Sequence, residues 1–378
     1  MTDTSRGSGA PCPRCPECGK ESGAIARAIG VCVDCLREGR PDVFQIARAM
    51  HAENHERFGL PSAVPRTEGG VRCSVCANAC SIGEGELGYC GVRKNSGGRL
   101  LEVSGDPELA FVEWYHDFLP TNCVGDWVCP GGSDSGYPKY SHCEGAERGY
   151  KNLAVFYCAC SFDCLFCQNW HFRQPQNRRS PRSAKRLVEA VDETTSCICY
   201  FGGDPTPQIH HAIKVSQLAR QKRKETILRI CWETNGSMHR RFLDQAAELS
   251  FESGGCVKFD LKAWSEKVHL ALTGVSNRTT LANFRRLAEL SLKRPDPPFL
   301  IASTLLVPGY IDETEISHLA RFIAELDPSI PYTLLGYHPH FYMNDLPRTS
   351  WKHAHRCAEI CREAGLQRVR LGNPHLLW

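Results

Sequence analysis

The chain has 378 residues, 42% hydrophobic and 23% charged, a composition typical of soluble globular proteins and a length that predicts two or three domains. Its formal net charge of +3 is too small to indicate nucleic acid or an anionic membrane as a partner. The sequence contains no run of about 18 apolar residues and no apolar signal segment near its start, so we expect a cytoplasmic protein without a membrane span.

Cysteine is the outlier, with 22 residues that cluster in C-x2-C patterns. A disulfide scaffold is the alternative, but in a long chain without a signal segment such pairs favour metal thiolates. Composition divides the chain into three predicted units. They are a cysteine-rich, zinc-ribbon-like region over residues 1–60, a cysteine-rich accessory region over residues 66–150, and a core over residues 151–378.

The first unit has the cysteine spacing of a zinc ribbon. Cys15 and Cys18 form one C-x2-C pair, and Cys32 and Cys35 form a second after thirteen intervening residues. Four thiolates on two tight turns satisfy tetrahedral zinc and can fold a segment too small for its own core. The spacing indicates a metal and favours zinc without excluding iron, and Cys12 is a spare thiol.

The second unit carries a further predicted metal set, which could hold zinc or a cluster: Cys73, Cys76, Cys80 and Cys90. A looser set could bind an auxiliary iron–sulfur cluster, although its irregular spacing is weak evidence: Cys123, Cys129, Cys143 and Cys158. The remaining cysteines of strands and helices are interpreted as small core hydrophobes: Cys197, Cys199, Cys231, Cys256, Cys357 and Cys361.

The third unit alternates short apolar runs with helical patterns. The predicted strands are Leu153–Ala159, Cys197–Phe201, Ile227–Trp232, Cys256–Leu261, Phe299–Val307, Tyr332–Tyr337 and a seventh at Arg368–Leu371. The predicted helices are Ala184–Thr194, Gln208–Lys224, Arg240–Glu252, Leu281–Lys293, Glu313–Leu326 and Trp351–Ala364, the fifth with a capping box of Asp312 and Glu315. Six βα units predict a parallel α/β sheet, either doubly wound or a complete or partial barrel.

The chemistry-bearing residues follow the strands, where the active sites of both architectures lie. The first strand runs into Cys160, Cys164 and Cys167. Three thiolates within eight residues can bind three irons of one cubane and leave the fourth iron open, whereas zinc would normally need a fourth protein ligand. Phe166 could shield a cluster or pack on a nucleobase, or it could be an ordinary core aromatic.

The stretch from Cys160 to Asn169 resembles the signature of radical S-adenosylmethionine (SAM) enzymes, specifically relatives of pyruvate formate-lyase activating enzyme. Later segments continue the likeness: Asp260-Leu-Lys262-Ala, Leu272 to Ser276 and Leu306 to Tyr310. The cysteines from Cys73 to Cys90, the segment Met343 to Pro347 and the ending from Ala364 to Asn373 are most similar to the radical SAM protein of the AmmeMemoRadiSam system. The resemblance covers roughly residues 70–378.

The resemblance implies a partial (β/α)6 barrel of parallel strands with N-terminal metal-binding extensions. It also implies a [4Fe–4S] cluster on Cys160, Cys164 and Cys167, to which SAM binds through its amino and carboxylate groups. Reductive cleavage of SAM then yields a 5′-deoxyadenosyl radical that abstracts hydrogen from the substrate.

The resemblance further implies which residues contact SAM. Gly202, Gly203 and Asp204 match the family's glycine-rich motif, with Asp204 where Glu is usual, and a strand-to-helix turn is the alternative for the glycines. Glu233 and Asn235 match a segment beside SAM and a monovalent cation. Asp260 and Lys262 match the family's Asp-Leu-Lys, although two such residues on one strand face could simply pair. His338 matches a histidine at a strand end.

The sequence therefore predicts a radical SAM oxidoreductase acting on a protein, peptide or small molecule, with glycyl-radical-enzyme activation as one subclass. The expected partners are a reductant such as ferredoxin or flavodoxin and a protein or peptide substrate. The alternative is a zinc or iron–sulfur binding or regulatory module with an inert barrel. The intact cysteine triad argues against that module, because unused thiolates oxidise readily.

Overall fold

The computed structural model of the protein describes residues 12–174 and 180–378. Residues 1–11, at the start of the predicted zinc-ribbon-like unit, lie outside the described residues, as do residues 175–179.

One eight-stranded sheet organises the chain. Its strands are β1 (Val112–Phe118), β2 (Lys151–Tyr157), β3 (Thr195–Phe201), β4 (Arg229–Thr234), β5 (Val257–Asp260), β6 (Leu300–Leu306), β7 (Tyr332–Gly336) and β8 (Val369–Leu371). Strands β2 to β8 are parallel, and β1 pairs antiparallel with β2. Each strand lies beside its neighbour in sequence, from β1 at one edge to β8 at the other. A doubly wound sheet would reverse its strand order, so this progression confirms the partial barrel.

The helices are α1 (Val33–Glu38), α2 (Gln45–Arg57), α3 (Ala184–Glu189), α4 (Ile209–Lys222), α5 (Arg240–Ser253), α6 (Glu266–Thr273), α7 (Arg278–Ser291), α8 (Glu313–Leu326) and α9 (Trp351–Glu363). All six predicted helices of the core are present, and α6 is an additional short helix between β5 and α7. The α8 cap is only half of a capping box: Asp312 accepts from the Glu315 N–H, but the Glu315 carboxylate accepts from Trp264 and Ser265 instead of the cap.

The strands form where they do because their side chains are buried on both faces, as a covered parallel sheet requires. Six of the seven residues of β3 are buried, as are six of the seven in β6. Strand β3 ends at Phe201, and the next residue, Gly202, has a φ of +68° that a side-chain-bearing residue would rarely adopt. The carboxyl ends of the parallel strands therefore meet at one rim of the barrel.

The N-terminal cysteine region docks on this rim. The Ala26 N–H donates to the Tyr310 hydroxyl, which in turn donates to the Val31 carbonyl. On α1, Arg37 donates to both Asp312 and Glu315 of the α8 cap. Between this region and β1 lie short antiparallel pairs: Val71–Arg72 with Ser81–Ile82, and Arg93–Ser96 with Arg99–Glu102. A third such pair joins Leu109–Ala110 to Arg182–Ser183.

The opposite rim, where the strands begin, is covered by residues 119–150, which we call the basal segment. Asp126 of this segment pairs with Arg370 of β8 at 2.7 Å. At its other end, buried Glu147 pairs with Arg229, the first residue of β4, at 2.5 Å. Glu147 also accepts from the Ser196 hydroxyl on β3, so the basal segment is bonded to strands on both sides of the barrel.

Within residues 12–174 and 180–378, no helix has the length and apolar character needed to cross a bilayer.

The Glu147–Arg229 pair gives a test of how the basal segment is held. Burial raises the pKa of Glu147, but Arg229 and the His142 N–H outweigh burial and hold that pKa below its ordinary value. Glu147→Ala leaves the Arg229 charge buried without a partner, and we expect it to lower the free energy of unfolding by about 3–5 kcal/mol. Urea unfolding followed by circular dichroism measures this change.

The matched control is Glu252→Ala, which removes the exposed partner of Arg220 and should cost about 0.2–1 kcal/mol. Because the pKa of Glu147 is lowered on folding, its contribution is present at neutral pH and should shrink as the pH falls below about 4. Equal losses for the two variants would contradict this account.

Candidate active site

A pocket of about 250 Å³ opens at the rim formed by the strands' carboxyl ends. The three cysteines of the predicted cluster loop line one wall, and residues from the ends of β3 to β7 line the rest. The predicted residues that the structure brings together here are Cys160, Cys164, Cys167, Phe166, Gly202, Gly203, Asp204, Glu233, Asn235, Asp260 and Lys262. Convergence of parallel strands at one rim explains why residues a hundred positions apart share this pocket.

The cysteine loop is shaped by donors aimed at its first cysteine. The Phe162 N–H donates to Cys160 Sγ at 3.4 Å, and Asn235 Nδ2 lies 3.7 Å from the same sulfur. Asn235 Nδ2 also donates to the Ser161 hydroxyl at 2.9 Å. Burial raises the pKa of the Cys164 thiol to about 12. A bound metal or another cation is therefore needed to stabilise its thiolate form at neutral pH.

A buried acid inside the loop, Asp163, fixes its position. Arg173 donates to Asp163 Oδ1 at 2.5 Å and to the Phe162 carbonyl at 3.0 Å. From α2, His51 Nδ1 lies 2.8 Å from Asp163 Oδ2, and Asn54 donates to Oδ1. Burial alone would raise the pKa of Asp163, but Arg173 and His51 lower it to about 2. The loop is thus held by an ionised carboxylate that binds partners before and after it in the chain.

The glycine-rich turn joins β3 to the pocket wall. A Cβ on Gly202 would lie 1.8 Å from Phe156 Cδ1, and one on Gly203 would lie 2.0 Å from the Tyr157 carbonyl oxygen. These contacts require glycine for close approach to β2. Asp204 is buried, and its carboxylate accepts hydrogen bonds from the backbone N–H groups of Thr206 and Asn235, both at 2.8 Å.

Asp204 therefore braces the ends of β3 and β4 against each other. Thr234 Oγ1 also donates to its Oδ2 at 3.0 Å. Burial raises the pKa of Asp204, although these hydrogen bonds oppose the rise. The Oδ1 atom accepts the Thr206 N–H, and its second lone pair can accept a hydrogen bond from a ligand.

The Asp260 and Lys262 side chains pair with each other at the end of β5. Lys262 Nζ also lies 5.5 Å from the centre of the Phe166 ring. Burial would lower the pKa of Lys262, but Asp260 and Cys164 outweigh burial and raise it. Asp260 Oδ1 is buried and has no hydrogen-bond partner among the described residues. An unpaired buried oxygen is costly unless a ligand donates to it.

One predicted SAM contact lies apart from the others. His338 is exposed, does not line the pocket, and its Nδ1 lies 3.1 Å from the Pro339 carbonyl. Conversely, Asp163 and Arg173 were not among the predicted site residues, and Arg173 lines the pocket. The position of Asp163 between Cys160 and Cys164 was a signal in the sequence that could have indicated a role in the loop. Arg173, ten residues after Asp163, gave no such signal.

The pocket fits a cluster with SAM. It offers three thiols on one wall and apolar walls that include Phe201, Leu305 and Leu335. It also offers Asp260 Oδ1, which no described residue contacts by a hydrogen bond, as an acceptor for the N–H and O–H groups that SAM carries. This set of soft sulfur ligands beside polar and apolar walls suits iron–sulfur chemistry with an amphipathic nucleotide.

The four cysteines of the N-terminal region converge as their spacing predicts. Their sulfurs all lie within 4.8 Å of one another, with Cys15 3.8 Å from Cys35 and Cys18 3.6 Å from Cys32. Four thiolates around one zinc lie about 3.8 Å apart at Zn–S bonds of about 2.3 Å. These separations exceed a disulfide bond and match a tetrahedral metal site. Cys12 is exposed and outside this group.

The second predicted metal set lies beside the active-site loops. The Cys73 N–H donates to the Cys80 carbonyl at 2.8 Å, and burial, with smaller contributions from Cys90, Cys73 and Cys80, raises the pKa of Cys76. Their sulfurs do not converge as tightly as those of the N-terminal group. Ala77, within this segment, donates to the Ser237 carbonyl after β4.

Comparison with known proteins agrees with this geometry. Residues 154–323 match the family model described as the Radical SAM superfamily. That range contains the cysteine triad, the glycine-rich turn and the Asp260–Lys262 pair.

Two relatives are activating enzymes. Isethionate sulfite-lyase activating enzyme of Desulfovibrio desulfuricans is 34% identical over 138 residues, which are 36% of this chain and only 40% of that protein. Pyruvate formate-lyase 1-activating enzyme of Escherichia coli is 26% identical over 188 residues, 49% of this chain and 73% of that protein. Among solved structures, a domain of pyruvate-formate lyase-activating enzyme from Bacteroides vulgatus is 23% identical with a TM-score of 0.37, covering 46% of this chain and 96% of that one.

The fold, the cysteine triad and the family match together define a radical SAM domain. Residues 154–323 carry this domain, which confirms the resemblance seen in the motifs and indicates an enzyme of the radical SAM class.

The Asp163 network predicts how the cysteine loop depends on α2. Asp163→Asn removes the charge that Arg173 faces, so we expect the thermal midpoint and the iron bound after anaerobic reconstitution both to fall. Breaking a buried pair of this kind costs about 3–5 kcal/mol. Because the pKa of Asp163 is about 2 in the fold, its contribution is present at neutral pH and lost only as the pH falls from about 4 towards 2.

The control is Asp244→Asn, which removes the partly exposed partner of Arg286 far from the loop. It should leave the iron content unchanged. If D163N binds as much iron as the wild type, the network does not position the loop.

Proposed function

We propose that this protein cleaves SAM reductively and uses the resulting radical to abstract hydrogen from a protein or peptide substrate. The observation that carries the proposal is the shared pocket, in which three loop cysteines face the glycine-rich turn and the Asp260–Lys262 pair. When bound, a [4Fe–4S] cluster with SAM supplies the 5′-deoxyadenosyl radical; the protein supplies binding and orientation.

Each side chain has a distinct part in this proposal. Cys160, Cys164 and Cys167 hold three irons as thiolates. Asp260 accepts a hydrogen bond from SAM through its unpartnered Oδ1, and Lys262 holds the other oxygen of that carboxylate. Phe166 packs beside the loop and keeps water from the sulfurs.

Asp204 and Glu233 line the pocket and orient the ligand without reacting. Asp204 holds the turn after β3 against Asn235, and its remaining lone pair can accept the SAM ammonium. Glu233 lies on the same wall, one residue before Thr234. The basal segment covers the far rim of the barrel and so limits the entry of water. A radical reaction requires this exclusion of water.

Both relatives are named activating enzymes, which favours a protein substrate. We propose a glycyl-radical enzyme, the subclass that the sequence resemblance implies, which would make this protein an activase. The proposal includes a one-electron reductant of the ferredoxin or flavodoxin class. A cytoplasmic location would supply such a reductant and keep the 22 cysteines reduced.

The direct test is formation of 5′-deoxyadenosine. The full-length protein is purified without oxygen, reconstituted with iron and sulfide, reduced with dithionite and incubated with SAM. We expect product from the wild type and background levels from Cys164→Ala. The control is Cys361→Ala, a buried cysteine of α9 outside the pocket, which should retain activity. Absence of product from a wild-type protein with a reduced cluster would reject the proposal in favour of a binding module.

We further propose that the N-terminal cysteine group binds one zinc ion. Tetrahedral convergence of four sulfurs supports zinc, because zinc prefers a closed four-thiolate site. Metal analysis of the full-length protein should find one zinc that is lost in Cys15→Ala and retained in Cys12→Ala. Iron in place of zinc, or equal zinc in both variants, would contradict this assignment.

A further inference from the structure

A second cavity, of about 360 Å³, lies inside the barrel between the active-site pocket and the basal segment. It shares Phe201 and Glu233 with the active-site pocket, so the two spaces are adjacent. Its lining contains six cysteines: Cys123, Cys129, Cys197, Cys199, Cys231 and Cys256. Cys199, Cys231 and Cys256 pack with Val128 and Ile301, which agrees with the core role predicted for them, and they also line the cavity.

Three of these cysteines form a row across adjacent strands. Cys231 of β4 is in register with Cys199 of β3. On the other side Trp232 pairs with Val257, which sets Cys256 beside Cys231. Neighbouring strands lie about 4.8 Å apart, so the row presents three sulfurs to the cavity at one height in the barrel.

The basal segment brings two more sulfurs to face this row. Its turn from Cys123 to Cys129 enters the barrel so closely that a Cβ on Gly125 would lie 2.8 Å from Ile301 Cδ1. The Gly125 N–H donates to Cys123 Sγ at 3.4 Å. The same donor, two residues after the cysteine and at the same distance, serves Cys160 in the catalytic loop. Backbone N–H groups directed at cysteine sulfur are a feature of iron–sulfur sites.

A buried cation completes the cavity. Lys258 Nζ lies 2.8 Å from Cys123 Sγ, 3.2 Å from Cys199 Sγ and 3.3 Å from a Glu233 oxygen. Glu233 supplies one negative charge to this ammonium, and because a neutral thiol is a weak acceptor, the two sulfur contacts are strong only when those sulfurs carry negative charge as well. The other buried cation, Arg229, is already neutralised by Glu147.

We propose that this cavity holds a second iron–sulfur cluster, bound between Cys123 and Cys129 of the basal segment and the cysteine row of β3 to β5. Thiolate ligands select zinc, copper(I) or iron–sulfur clusters. A single ion needs its thiolates within about 4 Å, as the N-terminal group has them. Among the described residues neither the cavity cysteines nor the catalytic triad converge so tightly, as expected for ligands that surround a cluster.

The test uses a full-length background that cannot form the catalytic cluster, Cys160→Ala with Cys164→Ala and Cys167→Ala. After anaerobic reconstitution we expect this protein to retain iron and sulfide and a reducible cluster signal in electron paramagnetic resonance. Adding SAM should not change the signal. Its outcome is independent of the proposed function, because this background does not cleave SAM.

Adding Cys123→Ala and Cys129→Ala to the background should abolish the signal. Two matched pairs should leave it: Cys357→Ala with Cys361→Ala, both in α9, and Cys73→Ala with Cys76→Ala in the accessory metal set. Loss of the signal with the accessory pair instead, zinc in place of iron, or no cluster in the background would each overturn the proposal. If the first pair fails to fold, as circular dichroism would reveal, Cys199→Ala with Cys231→Ala replaces it.

Lys258 has a positioning role that a separate readout can detect. Removing its charge in Lys258→Met should make the reduction potential of the retained signal more negative, because a nearby cation favours the reduced cluster. Lys262→Met, in the other pocket, should leave that potential unchanged. An equal shift in both variants would show that Lys258 does not contact the cluster.

Discussion

The cysteine loop from Cys160 to Cys167 depends on one buried carboxylate, Asp163. The loop cannot cover its own polar groups, because it is an irregular turn buried among the ends of several strands. Arg173 and α2 supply the charge and hydrogen bonds that this turn lacks. Two backbone bonds to the end of α6, from Asp163 and Leu165 to Thr273 and Leu272, complete its support. The accessory helix α2 is therefore part of the active-site architecture.

The parallel sheet supplies the other constraint. Since β2 to β8 run in one direction and in sequence order, each strand delivers its last residues to the same rim. Asp204 and Asn235 meet there through a single hydrogen bond, which joins the turns after β3 and β4. At the opposite rim, Glu147 and Arg229 close the barrel. The interior between them is lined by both sulfur and charge.

Much of this arrangement could be predicted from the sequence, because its signals are local. Apolar runs predicted β2 to β8, and cysteine spacing predicted both the catalytic loop and the convergence of Cys15 with Cys35. Strand β1 was not predicted, since four of its seven residues are exposed and its pairing partner is decided by tertiary contacts. The basal segment escaped for a similar reason: it has no periodic pattern, and its place follows from long-range pairs such as Asp126 with Arg370.

The shared cavity of the inward-facing cysteines could not be predicted from local sequence patterns. Cys197 and Cys199 are two residues apart and therefore lie on the same face of β3, which could be predicted from the sequence. Which face turns inward, and that Cys231 and Cys256 lie at the same height, depends on the register between strands. For His338 the sequence carried a signal that the structure does not place in the pocket. Its position at a strand end matches the family's histidine, but its side chain is exposed to solvent.

The Arg37 contact has a thermodynamic consequence. Arg37 lies between the N-terminal cysteine group and the cap of α8, where it donates to Glu315. The Glu315 carboxylate also accepts from the backbone N–H of Trp264, just before α6. Any ion that binds only the folded cysteine group stabilises the fold by mass action. Through this shared network, that stabilisation extends to the outer helices of the barrel, so the small N-terminal region and the large core should unfold as one cooperative unit while the ion is bound.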